Sequence, residues 1–261
     1  MAWLPLPALG ADRSAGESAA QILSRFRQSI WAEPVYAEVL LRELPREGDE
    51  FDYHGRFWGG RDAAGPVTRL EINVGNGGFS RHFLIQGGPD PSVWLWDPAE
   101  SPAPVAGAIL KPLAPRLVMT PFDVLPMPYL FWLDADLAGT GQIRGRRAHM
   151  FVLSPSADFR AANPSVAAVR VYLDTQYDAL VQSEVVGASG AVAKTLSLLD
   201  LKKVGDRWIP KDLDVRDERT RDKTRLSITA VSVGADPGAA AFDPARLGEA
   251  LQAPAHLERV P

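Results

Sequence analysis

The chain contains no cysteine among its 261 residues. This absence excludes disulfides, thiol nucleophiles, thiolate metal sites and attachment of a lipid through cysteine. No apolar run approaches the roughly 18–20 residues that a membrane-spanning helix requires. The histidines are few and do not have the spacing of zinc ligands; they are His54, His82, His149 and His256. The sequence therefore predicts no metal site and no cofactor.

An excess of charge of one sign is missing as well. The net charge is −4 and acidic and basic residues are interspersed, which argues against nucleic acid as a partner. A composition of 46% hydrophobic and 23% charged residues is ordinary for a globular protein with a sizeable core. Because all-β domains of roughly 200–250 residues are common, we expect a single domain at residues 18–252.

The two ends of the chain are expected to lie outside this domain. Residues 1–17 are largely apolar, are interrupted by Pro5 and Pro7, and have no basic region ahead of them. Ala8-Leu9-Gly10 fits a small-residue cleavage pattern, so these residues are interpreted either as a disordered tail or as the remnant of a signal peptide. Residues 253–261 are expected to form a loose tail.

A helix is predicted from the start of the domain. Ser18-Ala-Ala-Gln21 has the spacing of a capping box, in which the serine and glutamine side chains satisfy free backbone N–H groups. Apolar residues then recur at helical spacing as far as Ile30, and Pro34 ends the pattern. We expect an amphipathic helix that packs over a sheet.

From Val35 onward the apolar residues alternate with a period of two, which is the pattern of half-buried strands. Turn-forming residues separate the segments, and the Asn-Gly pair in Gly75-Asn-Gly-Gly78 favours a two-residue hairpin. Because the connections are short, we predict a meander of antiparallel neighbours. The predicted strands are 35–41, 51–57, 70–74, 83–85, 94–96, 142–153, 166–173, 180–186, 193–204, 207–215 and 224–233.

A proline-rich stretch interrupts the strands at residues 101–128. Its prolines forbid a long helix. Thr120-Pro-Phe-Asp123 can begin a short one, since threonine caps well and proline at the first helical position loses no hydrogen bond. We therefore expect a short, apolar, proline-braced segment from Phe122 to Trp132.

Few residues point to catalysis. Asp134 and Asp136 have the spacing of two carboxylates on one strand face, which a metal site or a glycoside hydrolase can use. The simpler interpretation is a solvated strand edge. No serine lies in a Gly-x-Ser-x-Gly elbow. The charged run at residues 216–224 is interpreted as an exposed hairpin with ion pairs across its strands, and a partner-docking surface is the alternative.

Taken together, the helix at 19–30, the meander, the apolar segment at 121–132 with residues 139–153 after it, and the tail from Val169 to Leu247 resemble the bacterial outer-membrane lipoprotein-sorting (LolA-like) proteins. That tail is interpreted as successive antiparallel strands closed by a short turn of helix at residues 242–247. The resemblance implies a mainly β fold with few helices (α+β). In that fold a strongly curved antiparallel sheet forms an incomplete barrel over an N-terminal helix and a short lid helix, around a hydrophobic cavity.

Within such a fold, strand alternation places the cavity wall on aromatic residues of the first strands and the lid on the proline-braced segment. The wall residues are Phe51, Tyr53, Phe57, Phe83, Trp94 and Trp96, and the lid residues are Phe122, Leu125, Leu130 and Phe131. Each methylene that leaves water contributes about 0.8 kcal/mol. A carrier of acyl chains therefore needs an apolar cavity of acyl length.

The resemblance further implies a non-enzymatic, monomeric periplasmic carrier that shelters an acyl chain, a lipid or a lipoprotein during transport towards the outer membrane. Its protein partners would be an inner-membrane transporter or an outer-membrane acceptor. Two alternatives stay open: a structural module that docks to an envelope transporter and has no ligand of its own, and a hydrolase that uses Asp134, Asp136 or Glu71.

Overall fold

A computed structural model describes residues 18–74, 80–101, 103–205 and 207–260. The helices in this part of the chain are α1 (Ala19–Ser29) and α2 (Ala157–Ala162). The strands are β1 (Val35–Leu44), β2 (Phe51–Asp62), β3 (Gly65–Asn73), β4 (Ser80–Gln86), β5 (Ser92–Trp96), β6 (Val105–Ala106), β7 (Asp134–Ile143), β8 (Arg146–Ser154), β9 (Ala168–Asp174), β10 (Leu180–Val186), β11 (Val192–Val204), β12 (Arg207–Asp217), β13 (Lys223–Val233) and β14 (Glu258–Arg259).

These strands form one antiparallel sheet in the order β6-β5-β4-β3-β2-β1-β13-β12-β11-β10-β9-β8-β7, and β14 pairs with β13 beside this path. Nearly every strand therefore pairs with its neighbour in sequence, as the short connections predict. The exception is the pairing of β1 with β13, which joins the two halves of the meander. The path ends at β6 and β7 without closing, so the predicted fold class, an incomplete antiparallel barrel with few helices, is confirmed.

Helix α1 begins as its sequence predicts. The Gln21 amide donates to Ser18 Oγ at 3.3 Å, and the Ser18 amide donates to Gln21 Oε1 at 2.8 Å, which completes the capping box. The helix buries Ile22, Leu23 and Phe26. It lies with these side chains in the main core, against the strands.

Two expectations for local structure need correction. Residues 142–153 do not form one strand, because Arg144 and Gly145 both have positive φ (51° and 79°) and make the tight turn between β7 and β8, as in type I′ hairpins. The predicted loose tail at 253–261 is wrong for residues 258–260, because β14 pairs with β13 and the Val260 amide donates to Thr229 O at 2.9 Å. Residues 1–17 and the predicted hairpin pair in Gly75-Asn-Gly-Gly78 lie outside the described residues.

Different segments cover the two faces of the sheet. On the inner face, α1 and residues 108–132, here called the inner segment, complete the main core. On the outer face, residues 234–260, here called the C-terminal strap, place Phe242 and Leu247 against a small apolar patch of Val67, Leu84, Trp94 and Trp96. In the described part of the chain, no helix is long and apolar enough to cross a membrane.

One arginine holds the strap. Arg69 on β3 is fully buried, and its guanidinium donates to Leu247 O at 3.1 Å and to Arg246 O at 3.4 Å. It also donates to the carbonyls of Ala241 and Glu249. Several backbone carbonyls of the strap therefore share a single strand side chain as donor.

Candidate ligand-binding interior

The concave face of the sheet carries apolar side chains from both halves of the meander. They alternate with outward-facing residues, which is why single strands contribute every second position. Among the buried ones are Val39, Leu41, Leu70, Ile72, Ile85, Leu95, Phe151, Leu153, Val171, Leu173, Leu196, Leu213 and Ile228. Such a face offers an apolar ligand a continuous surface.

The inner segment lies against this face. Residues 121–130 are all buried, and their regular structure consists of two short 3-10 turns, Pro121–Asp123 and Pro128–Phe131. The expected start at Thr120 is present. The Thr120 amide and hydroxyl both donate to Asp123 Oδ2, at 2.9 and 2.8 Å. Pro126 and Pro128, which follow the first turn, explain why it does not extend into a longer helix.

Two strand side chains from β11 and β13 bind the middle of the inner segment. Lys194 Nζ donates to Asp123 Oδ2 at 2.8 Å, and the Asp123 side chain is only 3% exposed. Thr224 Oγ1, which is fully buried, accepts from the amides of Val118 at 2.8 Å and Met119 at 3.4 Å. Lys194 thus adds a cationic partner to a buried carboxylate that Thr120 already contacts, and Thr224 provides an acceptor for two backbone amides of the segment.

Three more side chains bind the segment near its ends. Arg27 of α1 donates to the carbonyls of Leu130 and Trp132, the latter at 3.0 Å, and burial lowers the pKa of Arg27. Tyr129 Oη and Ser183 Oγ lie 2.9 Å apart, and burial raises the Tyr129 pKa. Tyr53 Oη donates to Pro115 O at 2.5 Å. The segment is thus attached to the sheet and α1 through side chains.

A small apolar cavity of about 40 Å³ remains between the inner segment and the sheet. Since one water occupies about 30 Å³ in the liquid, the cavity is too small for an acyl chain. Its lining comes from the turn after α1, the sheet and the inner segment: Trp31, Phe57, Thr68, Leu70, Asp123, Val124, Leu125, Met127, Pro210, Leu213, Leu226 and Ile228. In this conformation the inner segment itself fills the interior.

The predicted wall residues lie on both faces of the sheet. Tyr53, Phe57 and Phe83 are buried in the main core, whereas Phe51 beside Tyr53 is 48% exposed. Trp94 and Trp96 point outward and belong to the patch under the C-terminal strap. Between them Leu95, which pairs with Phe83, points inward. The structure therefore brings only part of the predicted set together, and contact of these residues with a ligand stays a prediction.

The predicted lid residues all lie in the inner segment. Phe122 and Leu130 are fully buried, and Leu125 is 7% exposed and lines the small cavity. Phe131 is half-buried and packs against the core. Its ring and Pro126 leave no room for a side chain at Gly87, where a Cβ atom would lie 2.7 Å from Pro126 and 2.8 Å from Phe131. Movement of these residues as a lid is a prediction.

The carboxylates that were considered for catalysis do not converge. Asp134 and Asp136 are exposed on the terminal strand β7, and Glu71 lies between Arg69 and Arg56, at 2.9 and 2.8 Å. No group of three or more His, Asp or Glu side chains among the described residues could hold a metal ion.

The charged run at 216–224 behaves as an ion-paired turn. Glu218 accepts from Thr195, Arg216 and Arg221. Across the same strands Arg225 pairs with Asp214 at 2.7 Å. These contacts within the protein are enough to explain the high density of charged residues in this run, so a partner protein is not needed to explain it.

Sequence reasoning missed the residues that bind the inner segment: Arg27, Ser183, Lys194 and Thr224. In the sequence each is an ordinary polar residue of a helix or a strand. Lys194 and Thr224 were recoverable in part, because a polar residue at an inward position of an alternating strand needs a buried partner. The identity of that partner depends on tertiary structure.

Comparison with known proteins supports the fold. A family model described as "Uncharacterized protein" matches residues 132–249, which is less than half of the chain. No curated protein matches the sequence. Among solved structures, a DUF1329 family protein from Desulfovibrio piger ATCC 29098 has a TM-score of 0.72 at 12% identity, over 87% of this chain and 96% of that one.

Two further structures are similar. One is described as an outer membrane lipoprotein-sorting protein domain from Vibrio parahaemolyticus, with a TM-score of 0.69 at 14% identity over 86% of this chain and 94% of that one. The other is a LolA superfamily protein from Nitrosomonas europaea, with a TM-score of 0.69 at 13% identity over 87% and 98%. The resemblance to LolA-like proteins is thereby confirmed at the level of the fold.

Proposed function

We propose that this protein is a non-enzymatic periplasmic carrier that shelters an acyl chain, a lipid or a lipoprotein between its curved sheet and its inner segment. The observation that carries the proposal is the apolar inner segment, which occupies the concave face and is attached through side chains. The fold that the chain shares with lipoprotein-sorting and LolA superfamily proteins supports the same function.

The interior would accept a ligand only after the inner segment moves. A cavity of about 40 Å³ lies far below the roughly 300–1,000 Å³ of ordinary ligand sites. Withdrawal of the segment would uncover the inward side chains of the sheet, and an acyl chain would replace the buried side chains of the segment. Contacts between the sheet and the inner segment would thus be exchanged for contacts between the sheet and the acyl chain. This exchange keeps the free-energy difference between the closed, empty state and the open, ligand-bound state small.

The absence of cysteine allows a direct test. Asp123→Cys and Lys194→Cys place two thiols at the contact between the inner segment and β11, and a short bismaleimide then links the two sites covalently. We expect the linked protein to lose entry of a brominated fatty acid into the interior, measured as quenching of the buried Trp31 and Trp132, while the unlinked double variant keeps it. Each single-cysteine variant, treated with the same reagent, is the control for the loss of the ion pair and for the added reagent.

Equal interior quenching in the linked and unlinked proteins would contradict a carrier that opens here. No uptake by any form, including the wild type, would favour the alternative of a docking module without a ligand. That alternative has one structural argument of its own, because the interior is filled in this conformation. A hydrolase receives no comparable support, since Asp134 and Asp136 are exposed and separate from the apolar interior.

A further inference from the structure

The sheet opens on one side, where β10 and β11 diverge. Their ladder runs from Val186 opposite Val192 to Gln182 opposite Ser197. Beyond Ser197, β11 pairs only with β12 among the described strands. Each strand has an irregularity at this point, next to Val181 in β10 and next to Leu199 in β11. Such bulges bend strands and end pairing, and here they leave a groove between the first residues of β10 and the later residues of β11.

This groove is much larger than the interior cavity, with a volume of about 830 Å³. That volume lies within the range of roughly 300–1,000 Å³ that ligand sites occupy. Much of its lining is apolar, namely Ala179, Leu180, Val181, Leu198, Leu199, Leu201 and Trp208. Leu180 and Leu198 also contact the main core, so the groove adjoins the interior. Trp208 is 38% exposed, one of the few large apolar side chains that reach solvent.

Two arginines of one hairpin line the same groove. Arg144 occupies the turn between β7 and β8, and Arg146 begins β8. Arg144 forms no ion pair with any residue in the described part of the chain, and Arg146 reaches Asp174 only at 3.4 Å. Asp174 Oδ1 is occupied by the amides of Gln176 and Tyr177.

Asp200 is the other acidic side chain in the lining, and its Oδ1 accepts the Leu201 amide at 2.8 Å. Both carboxylates of the groove thus have backbone partners. Arg144 keeps a guanidinium available for an anion, and a guanidinium binds carboxylate or phosphate through two parallel N–H groups.

We propose that this groove binds a single-chain amphiphile with an anionic head group, such as a long-chain fatty acid. The head group contacts Arg144 and Arg146, and the hydrocarbon chain of the ligand lies on Leu198, Leu201 and Trp208. The inference rests on the proposed carrier function and names its substrate class. It also assigns a second site, which is open while the inner segment fills the interior.

Tryptophan fluorescence shows where the hydrocarbon chain of the ligand binds. A fatty acid brominated near the middle of its chain quenches a tryptophan that it touches, so the wild type should show saturable quenching. In the bismaleimide-linked protein, whose interior is closed, Trp208→Phe should remove this quenching. Trp132→Phe, which changes a buried tryptophan of the inner segment, is the matched control in the linked protein and should retain it. Quenching that survives in the linked Trp208→Phe protein would overturn the groove as the site.

The bismaleimide-linked protein separates this inference from the carrier proposal. Because the groove does not require the inner segment to move, quenching of Trp208 should persist in the linked protein even though interior uptake is lost. If the link abolishes all uptake, and if the unlinked protein shows quenching of Trp132 but not of Trp208, the groove is overturned and the carrier function stands. Absence of both signals in the wild type would overturn both proposals.

Charge reversal tests the head group. Arg144→Glu with Arg146→Glu should weaken hexadecanoate binding at least about tenfold, the loss expected for one charge-assisted hydrogen bond. Binding of hexadecyltrimethylammonium below its micelle concentration should not weaken.

Arg160→Glu with Arg219→Glu changes the net charge equally at exposed arginines outside the groove and should leave hexadecanoate binding unchanged. Equal loss in both double variants, or for both ligands, would contradict specific recognition of an anion. Binding of an acidic peptide instead of either amphiphile would also overturn it.

Discussion

The inner segment and the C-terminal strap cover opposite faces of the same sheet and are held in different ways. The strap has a small apolar contact, centred on Val67, Leu84 and Leu247, and depends on the fully buried Arg69 for its carbonyls. The inner segment has a large apolar contact. Its polar contacts come from several separate elements, among them α1, β2, β10, β11 and β13.

This difference indicates which covering can leave. Separating Arg69 from the strap carbonyls would leave a buried charge and several buried carbonyl acceptors without partners, which costs a large amount of free energy. Loss of any one contact of the inner segment strands few groups, and an apolar ligand can replace its apolar contacts. The strap is therefore the fixed covering and the inner segment the exchangeable one. Each prediction below tests one side of this contrast.

The largest effect is expected at Arg69. Arg69→Met removes the donor for the strap carbonyls and one partner of Glu71, and breaking a buried charged contact typically costs about 3–5 kcal/mol. Urea unfolding should show this loss, and proteolytic cleavage near Phe242 should accelerate. Arg56→Met, which removes the half-exposed partner of Glu71, is the control and should cost much less. Equal losses would mean that Glu71, and not the strap, determines the effect.

A smaller effect is expected where the sheet meets the inner segment. Gly87→Ala adds a Cβ atom within 2.8 Å of Pro126 and Phe131, and overpacking of this kind costs about 1–3 kcal/mol. Because the strain falls on the inner segment, fatty acid uptake should become faster. Gly141→Ala has no atom within 4 Å of the new Cβ and should change neither quantity. A stability loss without faster uptake would show that the segment does not yield at this point.

Thr224 should give a smaller loss still. Thr224→Val keeps the shape of the side chain but removes the acceptor for the Val118 and Met119 amides, and lost hydrogen bonds of this type cost about 1 kcal/mol each. Amide hydrogen exchange should increase at residues 118–119 and stay constant in the strap. Thr224→Ser keeps the hydroxyl and should restore protection. Increased exchange in the strap as well would mean that the two coverings are coupled.

Local patterns in the sequence were sufficient to predict the individual helices and strands. The capping box at Ser18 and Gln21 sets the start of α1 by contacts within one turn, and period-two alternation sets the strands. Such patterns involve neighbouring residues, and the structure keeps them. The turn at Arg144 and Gly145 was not recognised because arginine rarely takes a positive φ.

The face that each strand residue occupies was harder to predict. Alternation separates Phe83 and Leu95 from Trp94 and Trp96, but when both sets are apolar it does not say which set faces the interior. In the strap, the sequence indicated a short terminal turn of helix at residues 242–247, and the structure has 3-10 turns at Ala239–Phe242 and Pro244–Arg246. The attachment of the strap could not be predicted, because it depends on Arg69, which lies far away in the sequence. For the same reason the partners of the inner segment, such as Lys194, could not be assigned before the fold was known.

The smallest expected effect is a pH dependence of the strap. His82 Nδ1 lies 2.7 Å from Leu247 O, and its ring packs against Trp96. Burial lowers the His82 pKa below its ordinary value of 6.5, an effect that Leu247 O and Glu71 only partly offset and that Arg69 and Arg56 reinforce. The folded protein therefore binds fewer protons than the unfolded chain as the pH falls through about 6.5, so the free energy of unfolding decreases on acidification.

His82→Gln isolates this contribution, because glutamine can still donate to Leu247 O and does not titrate. Urea unfolding at pH 7.5 and pH 5.5 should show a larger decrease for the wild type than for the variant. An equal decrease in both proteins would assign the pH dependence to other groups. A larger decrease in the variant would contradict the neutral, buried His82, and with it the view that acidification weakens the strap through this side chain.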